Sequence, residues 1–278
     1  MKTLLRLRCL TVALTTAAIF MLAAPAAWAG KDDDSDSDEE IPFDEAEVFF
    51  ELNDTDGDLG IHSLIDGGPW KKLEMEDPRG RRMLRVNASG RLRRQGLTEL
   101  FFESAEPVFA DLPPDEFFAR FPEGDYEIEG VTLDGEELES ETELTHLMPA
   151  PPDARVNMAP LALVCDDENE DYDAPEVMPP ITIAWPAVEF SHPTLGTPLS
   201  SEDIEIHNYE VVVEADLEIS EDEELTVVFS TILPPGITSL SVPAEFIALT
   251  DVWKYEVLVR EESFNQTAVE SCFEIAEE

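Results

Sequence analysis

Apolar and polar side chains alternate along much of this chain, and a period of two is that of a half-buried β-strand. From Trp70 to Glu76, Leu73 and Met75 fall on one face while Lys72, Glu74 and Glu76 fall on the other. Asp77-Pro78-Arg79-Gly80 supplies turn chemistry, and Met83 to Val86 reads as the returning strand. A second hairpin is predicted from Tyr126 to Leu147, turning at Asp134-Gly135, a dipeptide that tolerates positive φ. Between the two, Pro114 to Phe121 predicts one or two turns of helix with proline at the start. Further on, short apolar-alternating runs recur at 181–185, 206–213, 225–229, 238–242, 255–259 and 267–275. Runs of this length, broken by Pro, Gly, Asn and Asp, predict an antiparallel sandwich.

Two breaks divide the pattern. Pro149-Ala150-Pro151-Pro152 ends the first set of strands, and a low-order acidic stretch from Cys165 to Pro180 precedes the second. The expectation is an all-β protein of two antiparallel β-sandwich-like domains: 43–150, whose topology the pattern does not specify, and 178–278, with a Pro-rich, acidic connector over 151–177. In the second unit, Trp185, Ile206-x-x-Tyr209-x-Val211, Thr238 to Val242, and Leu249 six residues before Tyr255-x-Val257-x-Val259 together resemble a fibronectin type III domain, an immunoglobulin-like sandwich. The resemblance implies a tyrosine corner, with the Tyr255 phenol bonded back to the chain near the preceding turn. It departs from the family where Thr250-Asp251-Val252-Trp253-Lys254 replaces the usual proline and glycine, and no Arg-Gly-Asp tripeptide occurs. Such domains are spacers and binding modules, so the resemblance implies no particular activity.

The N-terminus changes the picture of where the protein works. Lys2, Arg6 and Arg8 precede an apolar run from Cys9 to Ala24, then Pro25 and the small-x-small Ala27-Trp28-Ala29. This is the pattern of a cleaved signal peptide over 1–29, too short to span a bilayer, followed by an acidic tail over 30–42. The alanine-rich leader points to a bacterial protein that is periplasmic or secreted, with no membrane span after cleavage. Cleavage takes the 17 Lys and Arg down by three to 14 against 63 Asp and Glu, a formal charge of −49. A charge of that sign and size excludes nucleic acid as a partner and disfavours anionic membrane surfaces. Two cysteines remain, Cys165 and Cys272, and in an oxidising compartment they predict a disulfide. Because Val269, Ser271, Phe273 and Ile275 share one face of the last strand, Cys272 is expected to point to solvent with Glu270 and Glu274. The bond would then staple the connector onto the outside of the sandwich.

Two sets of residues have the composition of a site. Asp54, Asp56 and Asp58 alternate within Asn53-Asp54-Thr55-Asp56-Gly57-Asp58, an arrangement that can turn several oxygens toward calcium. The match to an EF-hand loop fails at Leu59 and Ile65, where glycine and the bidentate glutamate belong, so a polar turn before a strand is the plainer reading. Nine of the mature chain's 14 cations lie between Lys71 and Arg94. Of these, Arg79, Arg81, Arg82, Arg91, Arg93 and Arg94 are candidates to receive an anionic glycan or phosphate. The plainer reading is that the island neutralises the protein's own acids, including 31–40. His62, His146, His192 and His207 have no metal-ligand spacing, and no serine or cysteine sits in a nucleophile motif. No catalytic residue is assigned. The sequon-like triplets at Asn53, Asn87 and Asn265 are taken as coincidence. These readings converge on a non-enzymatic binding or structural protein with an unknown protein or glycan partner. The alternatives are a calcium-stabilised extracellular module and an accessory part of a carbohydrate-active system.

Overall fold

The computed structural model describes residues 41–166, 169–220 and 223–276. The expected leader, and all of the expected acidic tail except Ile41 and Pro42, lie outside them. The chain runs β1 (Glu45–Asn53), β2 (Asp58–Glu76), β3 (Arg82–Asn87), α1 (Gly90–Gln95), β4 (Leu97–Glu103), α2 (Pro114–Arg120), β5 (Gly124–Thr132) and β6 (Glu137–Leu144). It continues through β7 (Arg155–Val156), β8 (Glu176–Val177), β9 (Thr182–Ala184), β10 (Ile206–Ser220), β11 (Glu223–Leu233), β12 (Ser239–Ser241), α3 (Ala244–Ile247), β13 (Val252–Glu261) and β14 (Gln266–Ile275). The fold is all-β and sandwich-like. Both predicted hairpins and the proline-started helix form where the pattern places them.

The long strand β2 organises the first half. Its early part pairs with β1 on one side and β4 on the other; its later part pairs with β5 and β3. The change of neighbours falls around Gly67-Gly68-Pro69, where the β4 ladder shifts register and proline can donate no ladder bond; the β5 ladder shifts just beyond, between Trp70 and Lys72. Inward residues Val48, Phe50, Leu52, Ile61, Ile65, Trp70, Leu73, Met75, Tyr126 and Ile128 fill one core, closed by Phe117 of α2. The phenyl groups of Phe117 and Phe118 meet Phe50 edge-on, with centroids 5.4 and 5.5 Å away.

A second core lies between the small sheet β12-β9-β7 and the large run β11-β10-β13-β14. Trp185, Tyr209, Val211, Val213, Trp253, Tyr255, Val257 and Phe273 fill it. The segment read as a connector thus contributes β7 to the small sheet and β8 to the edge of β14. The expected tyrosine corner is not made. Tyr255 Oη donates to Ala154 O at 3.1 Å, because the chain entering β7 brings a free carbonyl to the phenol.

The halves share one sheet, since β1 pairs with β14 in parallel, from Glu51 opposite Gln266 to Asn53 opposite Ala268. Asn265, fully buried in the β13–β14 turn, ties the junction together. Its Oδ1 accepts from the Phe50 N–H at 2.8 Å, and its Nδ2 donates to the carbonyls of Thr145 and Leu147. Burial of this side chain leaves no room for a glycan. The disulfide Cys165–Cys272 is formed, with Cα atoms 5.7 Å apart. Cys272, however, is buried and not turned to solvent. Along β14, β1 covers Gln266 to Ala268, β8 covers Glu274 and Ile275, and between them Ala162 bonds Ser271 while Cys165 bonds Cys272. Strand alternation could not anticipate a cover supplied from a hundred residues upstream.

Candidate functional site

The turn from Asn53 to Asp58 joins β1 to β2. Asn53 Oδ1 accepts from the N–H groups of Thr55 and Asp56, and Gly57 takes φ +69°. Asp54 Oδ1 lies 3.0 Å from His192 Nε2, and since His192 Nδ1 accepts from the Leu195 N–H, Nε2 is the donor to Asp54. Among the described residues, Asp54, Asp56 and Asp58 do not bring ligand oxygens within 4.8 Å of one another. Asp54 and Asp56 lie in the turn itself, Asp54 held toward His192, while Asp58 is the first residue of β2.

Four of the nine cations of the basic island pair with acids of the hairpin that carries them. Lys72, Arg82 and Arg85 all reach Glu74, the two arginines at 3.1 and 3.2 Å. The Lys72 hydrogen bond, outweighing burial and aided by the arginine charges, lowers the Glu74 pKa. Arg81 pairs with Asp77 at 2.5 Å, and Asp77 also accepts from the Arg79 and Arg81 backbone N–H groups. Burial alone would raise the Asp77 pKa; these bonds overcome it and hold it below the usual range. Arg91, Arg93 and Arg94 stand exposed on α1, away from that network.

A different set gathers on the outer face of the large sheet. Residues between the inward ones on β10, β13, β14, β1, β2 and β4 line it, and they include Glu210, Glu214, Glu256, Glu270, Glu51, Asp58, His62 and Glu103. Glu256 lies directly opposite Glu270, and His62 opposite Glu103. Burial raises the Glu256 pKa well above the usual range, and the like charges of Glu51, Glu270, Glu210 and Glu214 push the same way. Asp58 is pushed up to about 7, by burial first and then by Glu106, Asp56, Glu270 and Glu51. Every one of those charges is negative.

Toward the β2–β4 end of this face, His62 is buried, with its Nε2 2.9 Å from Glu106 Oε1 and its Nδ1 3.8 Å from Glu51 Oε2. Three local devices fix the group. Glu51 and His62 come from β1 and β2 and so ride on a paired ladder. The segment carrying Glu106 is tied to β2 by Ser104 N to Ile61 O at 3.0 Å and to the turn before it by Phe109 N to Gly57 O at 2.8 Å. Glycine at 60 lets the Glu106 carboxylate lie flat on the sheet, since a Cβ there would stand 2.1 Å from Glu106 Oε1. Burial works to lower the His62 pKa, but the hydrogen bond to Glu106 and the charges of Glu51, Glu106 and Glu103 outweigh it and raise it. No sequence spacing announced this trio, whose members lie on a strand, its hairpin partner and a distant loop. Recognising β1 would have been the signal, because it places Glu51 and His62 on one face.

No known protein family's sequence profile matches the chain, and no curated protein matches it. Among solved structures, it is similar to a tetra-tandem repeat in the extending region of a large adhesion protein, at 10% identity over 84% of this chain and 50% of that one, with TM-score 0.23. It is also similar to a structure concerned with host cell surface retention of a 1.5-MDa bacterial ice-binding adhesin, at 10% identity over 86% of this chain and 66% of that one, TM-score 0.21. A third is the BSP domain of a biofilm associated protein, at 12% identity over 85% and 30%, TM-score 0.23. The chain therefore spans about half the length of the first of these. Likenesses of this size carry no functional argument. Among the described residues, no helix is long and apolar enough to cross a membrane.

Proposed function

We propose that this chain is an exported, non-catalytic binding or structural module whose C-terminal half is built on the fibronectin type III plan. The observation that carries the reading is the junction. Two β cores are joined by the β1–β14 ladder, by the buried Asn265 and by a disulfide, a construction that resists reorientation of one half against the other. The strand order supports the family plan. Lettered in chain order, A, B and E make the small sheet and C′, C, F and G the large one, the division of immunoglobulin-type sandwiches. A disulfide between distant segments also supports an oxidising compartment.

A protein or glycan is the class of partner such a module takes. The test is to present the full exported chain to arrays of cell-surface glycans and extracellular proteins while assaying the same glycans for cleavage. Specific retention of an arrayed ligand without turnover is the expected result. Hydrolysis abolished by replacing a single carboxylate would overturn it and favour a role within a carbohydrate-active system.

A further inference from the structure

We propose that Glu51, His62 and Glu106 form a binding site for a divalent transition-metal ion of the zinc class, with the imidazole as nitrogen ligand and the two carboxylates as oxygen ligands. This goes beyond the binding or structural reading and stands without it. One nitrogen of His62 and one oxygen from each glutamate already lie within 4.8 Å of one another. Donors around a tetrahedral zinc at about 2.0–2.1 Å are separated by roughly 3.3 Å, so closing the site on one ring nitrogen asks the glutamate that now faces the other nitrogen to swing across to it.

The acids alone would not make a site. The second observation is the imidazole, whose side chain is only 5% exposed and which faces a carboxylate on each ring nitrogen. A nitrogen donor buried between carboxylates selects against calcium and magnesium, which take all-oxygen shells, and toward zinc and its neighbours. The outer shell is also in place. Gln266 Nε2 donates to Glu51 Oε2, orienting that carboxylate from the adjacent strand. The cation fits the charge as well, because Glu103 stands opposite His62 and Asp58 lies near enough to feel Glu106 and Glu51. Arg260, the nearest cation of β13 on this face, is engaged with Glu47 at 2.6 Å and stacked over Phe49. A divalent ion neutralises what one protonated imidazole leaves unbalanced.

The experiment uses the full exported chain, stripped with a chelator and titrated with zinc chloride, with calcium and magnesium chlorides as parallel arms. Native mass spectrometry and calorimetry would read stoichiometry and affinity, and the melting midpoint would be followed in each arm. A single zinc per chain is expected, with a midpoint rise of several degrees that calcium does not reproduce. His62→Gln and Glu106→Gln should each weaken zinc binding at least tenfold, whereas Asp54→Asn should not. Should His62→Gln perturb folding, the variant Glu106→Gln, at a part-exposed position, and the shift of the His62 ring nitrogens on adding zinc to wild type decide the matter. Zinc affinity unchanged in Glu106→Gln, an unshifted His62 ring, or calcium binding in preference to zinc would each overturn the assignment.

Discussion

Two carboxylate environments on the same extended sheet behave in opposite ways. On the β2–β3 hairpin, Glu74 sits among Lys72, Arg82 and Arg85, and its pKa falls. On the outer face across β13, β14 and β1, Glu256, Glu270 and Glu51 sit among one another, and theirs rise. Burial pushes carboxylates the same way in both places; the neighbours decide the sign. A chain with 63 acids and 17 cations cannot pair them all; this one gathers nine of its cations between Lys71 and Arg94 and leaves a face of the shared sheet under self-repulsion.

The contrast can be broken most forcefully at the disulfide, because Cys272 lies on β14 two residues from Glu270 and holds the connector against the strongly repelling strand. Replacing both Cys165 and Cys272 by serine opens a closure of 107 residues and should cost about 4 kcal/mol by the chain-entropy account, read by denaturant unfolding. The loss should shrink in high salt, where screening relaxes the acid face.

Next comes pH. Asp58 is held near 7 in the folded chain against an ordinary value of 3.8, so the stability it contributes is fully present below about pH 4 and is lost as pH rises through about 7. Glu256 and Glu270, also raised, act in the same direction. The expected fall between pH 4 and 8 is about 2 kcal/mol once solvent screening of these part-exposed groups is allowed for. Glu74 and Asp77 are lowered, so the hairpin's contribution is present above about pH 4 and is lost in stronger acid. Amide exchange should therefore show β13–β14 loosening toward alkaline pH while β2–β3 stays protected. A uniform response of both regions would remove the distinction.

A smaller effect is expected from Glu256→Gln, which removes one of two like charges facing each other across β13 and β14. It should raise stability by about 1 kcal/mol near neutral pH, measured as a shift in denaturation midpoint. The smallest is Glu74→Gln, which should lower the midpoint slightly, because Glu74 is buried but its three cationic partners are a third to a half exposed and can turn back to water. Opposite signs for the same chemical change at two positions would confirm the comparison directly.

Much of the strand pattern could be read in the chain. The 70–76 and 83–86 hairpin, the Asp134-Gly135 turn, the helix at Pro114 and the six runs from 181 to 275 rest on local signals: alternation, turn dipeptides and a proline at a helix start. What escaped were elements whose order comes from contacts. β1 alternates too, with Val48, Phe50 and Leu52 inward, but it follows a charged stretch and its partners lie up to 215 residues away. β2 ran past the predicted strand because Gly67-Gly68-Pro69, a turn signal locally, serves here as a bend within one strand. The candidate site was missed for the same reason, since Glu51 and His62 become neighbours only once β1 exists.

By itself, then, the sequence determined the class of fold, the pairing of its two late cysteines and the surplus of acid, because period, turn chemistry and charge are properties of neighbouring residues. The tertiary structure alone decided that Cys272 is covered, that Tyr255 bonds to Ala154, that Asp54 of the β1–β2 turn meets His192, and that Glu51, His62 and Glu106 converge. Each of these depends on which strand lies beside which, and a parallel pairing between the first strand and the last is set by burial over the whole chain, not by any local run of residues.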